Sequence, residues 1–185
     1  MKDISLHILD VANNSISAGA SLIEIEVDHQ PQNGTLTITI RDNGKGMSAE
    51  TLAKVTDPFY TTRTTRKVGL GLPLIKQNAE QTGGNLSIHS EEGKGTILTV
   101  LFNCSHIDCP PIGNIAEIMT ILITGNPKID FLYTHKIGNA EFKIQSQEIK
   151  EILRDVPINS PQIVKFIKEM LEENIEEINN CNSNQ

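Results

Sequence analysis

Tryptophan is absent from this 185-residue chain, and two tyrosines and five phenylalanines are its only aromatics. Its core must therefore be built from aliphatic side chains. No apolar run approaches the ~20 residues of a membrane span, and the opening Met1-Lys2-Asp3-Ile4-Ser5 lacks the apolar centre of a signal peptide. Three cysteines, Cys104, Cys109 and Cys181, do not amount to a disulfide framework. A basic surface is also missing: the formal charge of −7 argues against nucleic acid as the main partner. The expectation is a soluble cytoplasmic protein with neither a nucleic-acid nor a membrane partner.

What is present is strongly patterned. Ile4, Ile8, Leu9, Ala12 and Ile16 follow helical spacing, and Ala18-Gly19-Ala20 ends that helix. Ile23, Ile25 and Val27 alternate with Glu24, Glu26 and Asp28, as do Leu36, Ile38 and Ile40 with Thr35, Thr37 and Thr39. With Asn33-Gly34 between them, the two strands read as a hairpin. Ser48–Val55 reads as a short helix and Leu70–Gln81 as a longer one, with Leu74, Ile75 and Ala79 as core candidates. Pro73 is tolerable there because it falls in the first turn. Strands at Leu86–Ser90 and Thr96–Phe102 flank a Gly93-Lys94-Gly95 turn. The order predicts an α+β fold, a sheet carrying helices on one face.

Cys109-Pro110-Pro111 breaks any regular element, so the expected division is a domain over 1–104 and a small α/β domain over 105–185. In the second part the pattern predicts a helix at Ile115–Ile123, strands near Ile129–His135 and Glu141–Ile144, and helices near Gln147–Arg154 and Pro161–Ile178. This part holds 7 basic and 12 acidic side chains, against 9 and 11 in the first.

Three features carry chemistry. The strand ending at Asp42 runs into Asp42-Asn43-Gly44-Lys45-Gly46-Met47. A carboxylate there can accept from an exocyclic amine such as adenine's, while glycines let a ligand approach the backbone; by itself the string is more simply a plain turn. His7, Asp10, Asn14 and Ser17 form one polar stripe on the first helix. They could hold a hydrated Mg²⁺ and a nucleophilic water, or simply face solvent. The loop Thr61–Val68 brings hydroxyls and cations to Gly69-Leu70-Gly71-Leu72 at the start of a helix. Unpaired N–H groups there favour phosphate, though a surface loop is the plainer reading. Cys104, His106, Asp108 and Cys109 cluster, but nothing completes a four-ligand zinc set.

Taken together and in order, these blocks resemble the GHKL ATPase superfamily of gyrase-type ATPases, the heat-shock chaperone, mismatch-repair ATPases and sensor histidine kinases. Asp10-Val11-Ala12-Asn13-Asn14 through Ala20 is most similar to the mismatch-repair form of the magnesium-binding box. Asp57-Pro58-Phe59-Tyr60-Thr61-Thr62-Arg63 resembles the aromatic box and lid of histidine kinases, and Gly69-Leu70-Gly71-Leu72 their second glycine box. Gly83-Gly84 and Gly93-Lys94-Gly95-Thr96 match their closing segments. The resemblance covers about residues 4–102. It implies a two-layer α/β sandwich that binds ATP and Mg²⁺. Asn14 would ligate the metal, Asp42 would accept from the adenine amine, and Gly44, Gly46 and Met47 would shape that wall. Phe59, Thr62, Arg63, Arg66 and Lys67 would supply the aromatic box and lid. Gly69, Leu70, Gly71 and Leu72 would meet phosphate, and Thr96 would sit near the base.

The pattern departs from the family at three points. Position 10 is Asp where hydrolysing members have Glu, which keeps a possible general base but shortens its reach. Lys67 replaces the glycine that usually opens the second glycine box. The stretch before the first helix is too short for a hairpin carrying a phosphoacceptor histidine, so the expected acceptor is a separate, unidentified protein. The primary expectation is an ATP-dependent kinase-like module in signalling or regulation. The alternative is a nucleotide-gated interaction module, anti-sigma-like or an ATPase switch, with slow or no hydrolysis. Dimerisation or partner binding is the role expected of 105–185, which leaves a homodimer open.

Overall fold

The computed structural model describes residues 3–57 and 71–183. The alternating segments form strands: β1 (Leu22–Gln30), β2 (Thr35–Asp42), β3 (Asn85–Glu91) and β4 (Gly95–Asn103). β1 and β2 are antiparallel neighbours with Ile25 opposite Ile40, and β4 pairs with β2 and β3, also antiparallel. The register puts Ile23, Ile25, Val27, Leu36, Ile38, Ile40, Leu98, Val100 and Phe102 on one buried face. Glu24, Glu26 and Asp28 lie on the other, so the period-2 pattern alone decides which side becomes core.

Helix α1 (Ile4–Ser17) covers that face with Ile4, Ile8, Val11 and Ala12. Fully burying a side chain such as Ile4 or Ile8 contributes about 1.5–3 kcal/mol. Its first turn is capped by Asp3, whose Oδ1 accepts from Leu6 N at 3.0 Å and from Ser5 Oγ at 2.8 Å. Helix α2 (Ala49–Lys54) is short and has no buried residue; Ser48 caps it. Helix α3 (Gly71–Gln81) buries Ile75 and Ala79; Leu74, expected in the core, is only half-buried.

The stretch expected as a separate body, 105–185, continues the same sheet. Helix α4 (Ile115–Gly125) leads into β5 (Asp130–Ile137), which pairs parallel with β1, Tyr133 opposite Ile25. β6 (Ala140–Gln145) then closes the order β3-β4-β2-β1-β5-β6. The physical reason is the free edge of β1: its hairpin partner satisfies one side only, and β5 takes the unpaired N–H and C=O groups on the other. Helices α5 (Ser146–Leu153) and α6 (Pro161–Ser183) follow. Met119 of α4, Phe131 and Tyr133 of β5, and Ile167 and Leu171 of α6 share one continuous core with Ile4 and Ile8. The observed fold is a mixed α/β arrangement on one six-stranded sheet. Among the described residues, no helix is long and apolar enough to cross a membrane.

Candidate nucleotide site

The site is built where α1, the β2–α2 loop, the β3–β4 turn and the start of α3 meet. Asp42 ends β2 on the buried face and is 8% exposed. Its Oδ2 accepts from Ser15 Oγ at 2.6 Å and its Oδ1 from the Gly44 amide at 2.9 Å. The carboxylate is thus fixed by a helix hydroxyl on one side and its own loop on the other. Each oxygen keeps lone-pair capacity for a further donor. Ser15 was not among the residues singled out from sequence. Its signal was a hydroxyl in the apolar stripe of α1, in line with Ile8 and Val11.

The loop after Asp42 is stitched down at each step. Asn43 clips the start of β1, its Oδ1 accepting from Ser21 N and Leu22 N at 2.9 and 3.0 Å. Lys45 N donates to Ala18 O, and Gly93 N donates to Lys45 O. Met47 N donates to Ser90 Oγ at 2.9 Å, and the same hydroxyl meets Thr96 Oγ1 at 2.9 Å. Ser90, Thr96 and Asp42 stand in one register row across β3, β4 and β2. Thr96 is therefore beside Asp42, and Ser90 is the second residue that sequence reasoning missed. Gly46 has φ of +64°, and a Cβ there would lie 2.0 Å from the carbonyl oxygen of Glu91. Glycine is required by both conformation and contact. Gly44 packs against Ala18 in the same way, at 2.9 Å for a Cβ.

At the other end of the site, Asp10 lies against Gly71, the first residue of α3. A Cβ on Gly71 would sit 1.6 Å from Asp10 Oδ2. Residues 61 positions apart in sequence are thereby brought into contact, and an acid faces a helix N-terminus, where unpaired amides favour negative charge. Asn14, half-buried, is one turn along α1 from Asp10. Leu72 packs against the core. Phe59, Thr62, Arg63, Arg66, Lys67, Gly69 and Leu70 lie outside the described residues.

The polar stripe expected on α1 divides. Ser17 is exposed and donates to Asn13 O. His7 is fully buried between α1 and α3, its Nε2 2.9 Å from Asn78 Nδ2, while Nδ1 has no partner. Burial pushes its pKa down to about 4, so the ring is neutral at pH 7. Enclosed and held against Asn78, the imidazole is a packing contact that joins α1 to α3. A cleft of about 590 Å³ opens at the same end of the sheet, lined by Glu24, Arg41, His89, Ile97 and Leu52 among others. Glu24, Arg41, Ile97 and His89 form a row on the outer sheet face, so this cleft backs onto Asp42 from the side opposite α1.

The profile of the family described as histidine kinase-, DNA gyrase B- and HSP90-like ATPase matches residues 2–106. A putative sensor protein of Shewanella frigidimarina is 31% identical over 109 residues, 58% of this chain and 16% of that protein. The sensor histidine kinase ZraS of Escherichia coli is 32% identical over 93 residues, 50% of this chain and 20% of that protein. The chain thus spans about a fifth or less of the length of these curated relatives. Among solved structures, the Aquifex aeolicus MutL ATPase domain complexed with ADP superposes with a TM-score of 0.52 at 16% identity. That overlap covers 83% of this chain and 70% of the other. The N-terminal domain of a DNA repair protein gives a TM-score of 0.54 at 17% identity, covering 96% and 57%. At such identities these two likenesses concern the fold alone.

Proposed function

The chain belongs to the family of histidine kinase-, DNA gyrase B- and HSP90-like ATPases, and from that premise we propose that it binds Mg-ATP between α1, the β2–α2 loop and the start of α3. The bound nucleotide would serve phosphoryl transfer to a separate protein in signalling or regulation. The observation that carries this reading is the anchored carboxylate of Asp42, held by Ser15 and Gly44 with acceptor capacity to spare. Asp10, which touches Gly71 at the start of α3, lies on α1 together with Ser15. Five residues, about 7.5 Å of helical rise, separate the two ends.

In this reading Asp42 accepts from the adenine amine, Gly44, Gly46 and Met47 form the wall beside it, and Thr96 with Ser90 closes the far side. The α3 N-terminus, beginning at Gly71, receives phosphate through its unpaired amides. Asn14 and Asp10 offer an amide oxygen and a carboxylate one turn apart, and hard oxygen donors in that number suit Mg²⁺. Bound there, the ion would neutralise charge on the phosphates. Asn14 would hold it, and Asp10 would accept a proton from the attacking group. Phe59, Thr62, Arg63, Arg66, Lys67, Gly69, Leu70 and Leu72 complete the proposed pocket as aromatic box, lid and glycine box. Incubation with γ-labelled ATP and candidate partner proteins should yield a labelled partner. Label that never leaves ATP in the presence of every partner retained by the chain would count against transfer.

A second reading, a nucleotide-gated interaction module, is favoured by the contact of Asp10 with Gly71. A phosphate arriving at α3 must displace this carboxylate or share a cation with it. Nucleotide binding then shifts the α1–α3 contact whether or not hydrolysis follows. Hydrogen exchange at α3 that is unchanged by Mg-ATP at saturation rules it out. For residues 105–185 we propose a partner-binding or dimerisation surface. Phe166 and Ile152 stand 58% and 81% exposed there, and light scattering across protein concentration reads self-association directly. A cytoplasmic location completes the proposal.

A further inference from the structure

The link between β4 and α4 contains a pair of thiols that no part of the nucleotide site uses. Cys104 and Cys109 are half-buried and reduced, with their Sγ atoms in S–H···S contact at 3.5 Å. The four residues between them are already held by local hydrogen bonds. Ser105 N donates to Asn103 Oδ1, His106 N to Asn103 O, and Cys109 N to His106 O. Cys104 N is tied to Gly34 O of the β1–β2 turn at 2.6 Å. Both side chains pack on the core, whereas Ile107 at the loop's tip is 95% exposed. The ordering that normally opposes joining two cysteines is thus already in place in the reduced fold. No third ligand stands with them, since no group of three or more metal-binding side chains occurs among the described residues.

We propose that Cys104 and Cys109 are a thiol–disulfide exchange site, a dithiol that a small-molecule disulfide of the glutathione type converts to an intramolecular disulfide. In the first step the Cys109 sulfur attacks one sulfur of the incoming disulfide, whose S–S bond breaks and releases one thiol. In the second step the Cys104 sulfur attacks Cys109, forming the Cys104–Cys109 bond and releasing the second thiol. The protein loses two electrons and two protons, and the small disulfide gains both. The order follows from the surroundings: burial, then the neighbouring Cys109, pushes the Cys104 thiol up to about 12, so it waits as the resolving group. The location gives the bond a structural reach. Two and three residues beyond Cys109, the carbonyls of Pro111 and Ile112 accept from Ile4 and Ser5 N at 2.9 Å each, the first turn of α1. Oxidation therefore staples the strut that carries the helix of Asp10 and Asn14.

The test uses the full chain carrying Cys181→Ser, which removes the exposed third thiol. The folded protein is treated with oxidised glutathione, then denatured and alkylated, and the peptide holding both cysteines is weighed. The expected peptide is two hydrogens lighter than the dithiol and carries neither alkyl nor glutathione. A peptide with two alkyl groups, or with stable glutathione on either sulfur, overturns the proposal. Further variants address the order: Cys104→Ser should trap glutathione on Cys109 at least ~10-fold faster than Cys109→Ser traps it on Cys104. Equal rates overturn the assignment of Cys109 as attacker.

Discussion

The two ends of the candidate site are built differently. At the Asp42 end every loop residue from Asn43 to Met47 except Gly46 makes a named hydrogen bond, and Gly46 is locked by its φ and by Glu91. The partners come from β3, the β3–β4 turn, the end of α1 and the start of β1, so the carboxylate sits on a frame of strands. At the Asp10 end one acid rests against the first residue of a helix, and the side chains concerned are half-buried. Under the proposed function the first arrangement would read a ligand without moving, and the second would change its contacts when an anion arrives. The comparison would then assign recognition to one end and response to the other.

The sharpest way to break this comparison is at Asp42. Asp42→Ala removes the acceptor and leaves Ser15 Oγ and Gly44 N unpaired. Calorimetry should show Mg-ATP affinity reduced by about 100-fold or more, roughly the worth of a charged hydrogen bond together with the orphaned donors. An affinity within threefold of the parent would dissolve the distinction between the ends. Next comes acid. His7 and His135 are buried with pKa values near 4 in the folded chain, against 6.5 in the unfolded one. Between those values the unfolded state binds more protons, so stability is level above about pH 6.5 and falls as pH drops toward 4. The loss is on the order of 3 kcal/mol for each histidine. Denaturant melts across pH 4–7 measure it. His7→Asn should remove roughly half of the slope, and because His7 joins α1 to α3 it should loosen the responsive end first.

Gly46→Ala forces a side chain into a positive-φ site against a backbone carbonyl. It should lower stability by about 1–3 kcal/mol and weaken nucleotide binding in parallel, as read by thermal melts with and without ATP. Asp10→Asn is the mildest. It keeps size and removes charge beside Gly71, so affinity for Mg-ATP should stay within about threefold while any turnover falls about 100-fold or more. If the same change abolished binding, the Asp10 end would be a recognition element after all.

Much of this was legible in the chain, for identifiable reasons. Strand alternation named the buried face at Ile23, Ile25, Leu36 and Ile38, and the glycines after Asp42 marked a loop of close backbone approach, where the structure places Ala18 and Glu91. Asp10 and Asn14, one turn apart, could be set on one helix face without any structure. Ser15 and Ser90 were hidden because a lone hydroxyl carries no period. Their roles exist only through partners 27 and 43 residues away. His7 looked like part of a polar stripe, yet α3 covers it, and a helix's own pattern does not show which neighbour lands on it. The docking of β5 on β1 was equally invisible, because parallel pairing across a helical crossover leaves no turn signal at either strand. The break at Cys109-Pro110-Pro111 was real as a break in regular structure, and the sheet continued past it.

The central claim is that Asp42 reads the amine of adenine. Titrating the chain with Mg-ATP and with Mg-inosine triphosphate, which carries a carbonyl where adenine has its amine, tests that most directly. The account predicts one ATP site and at least ~100-fold weaker binding of the inosine nucleotide. Equal affinity for the two would contradict it.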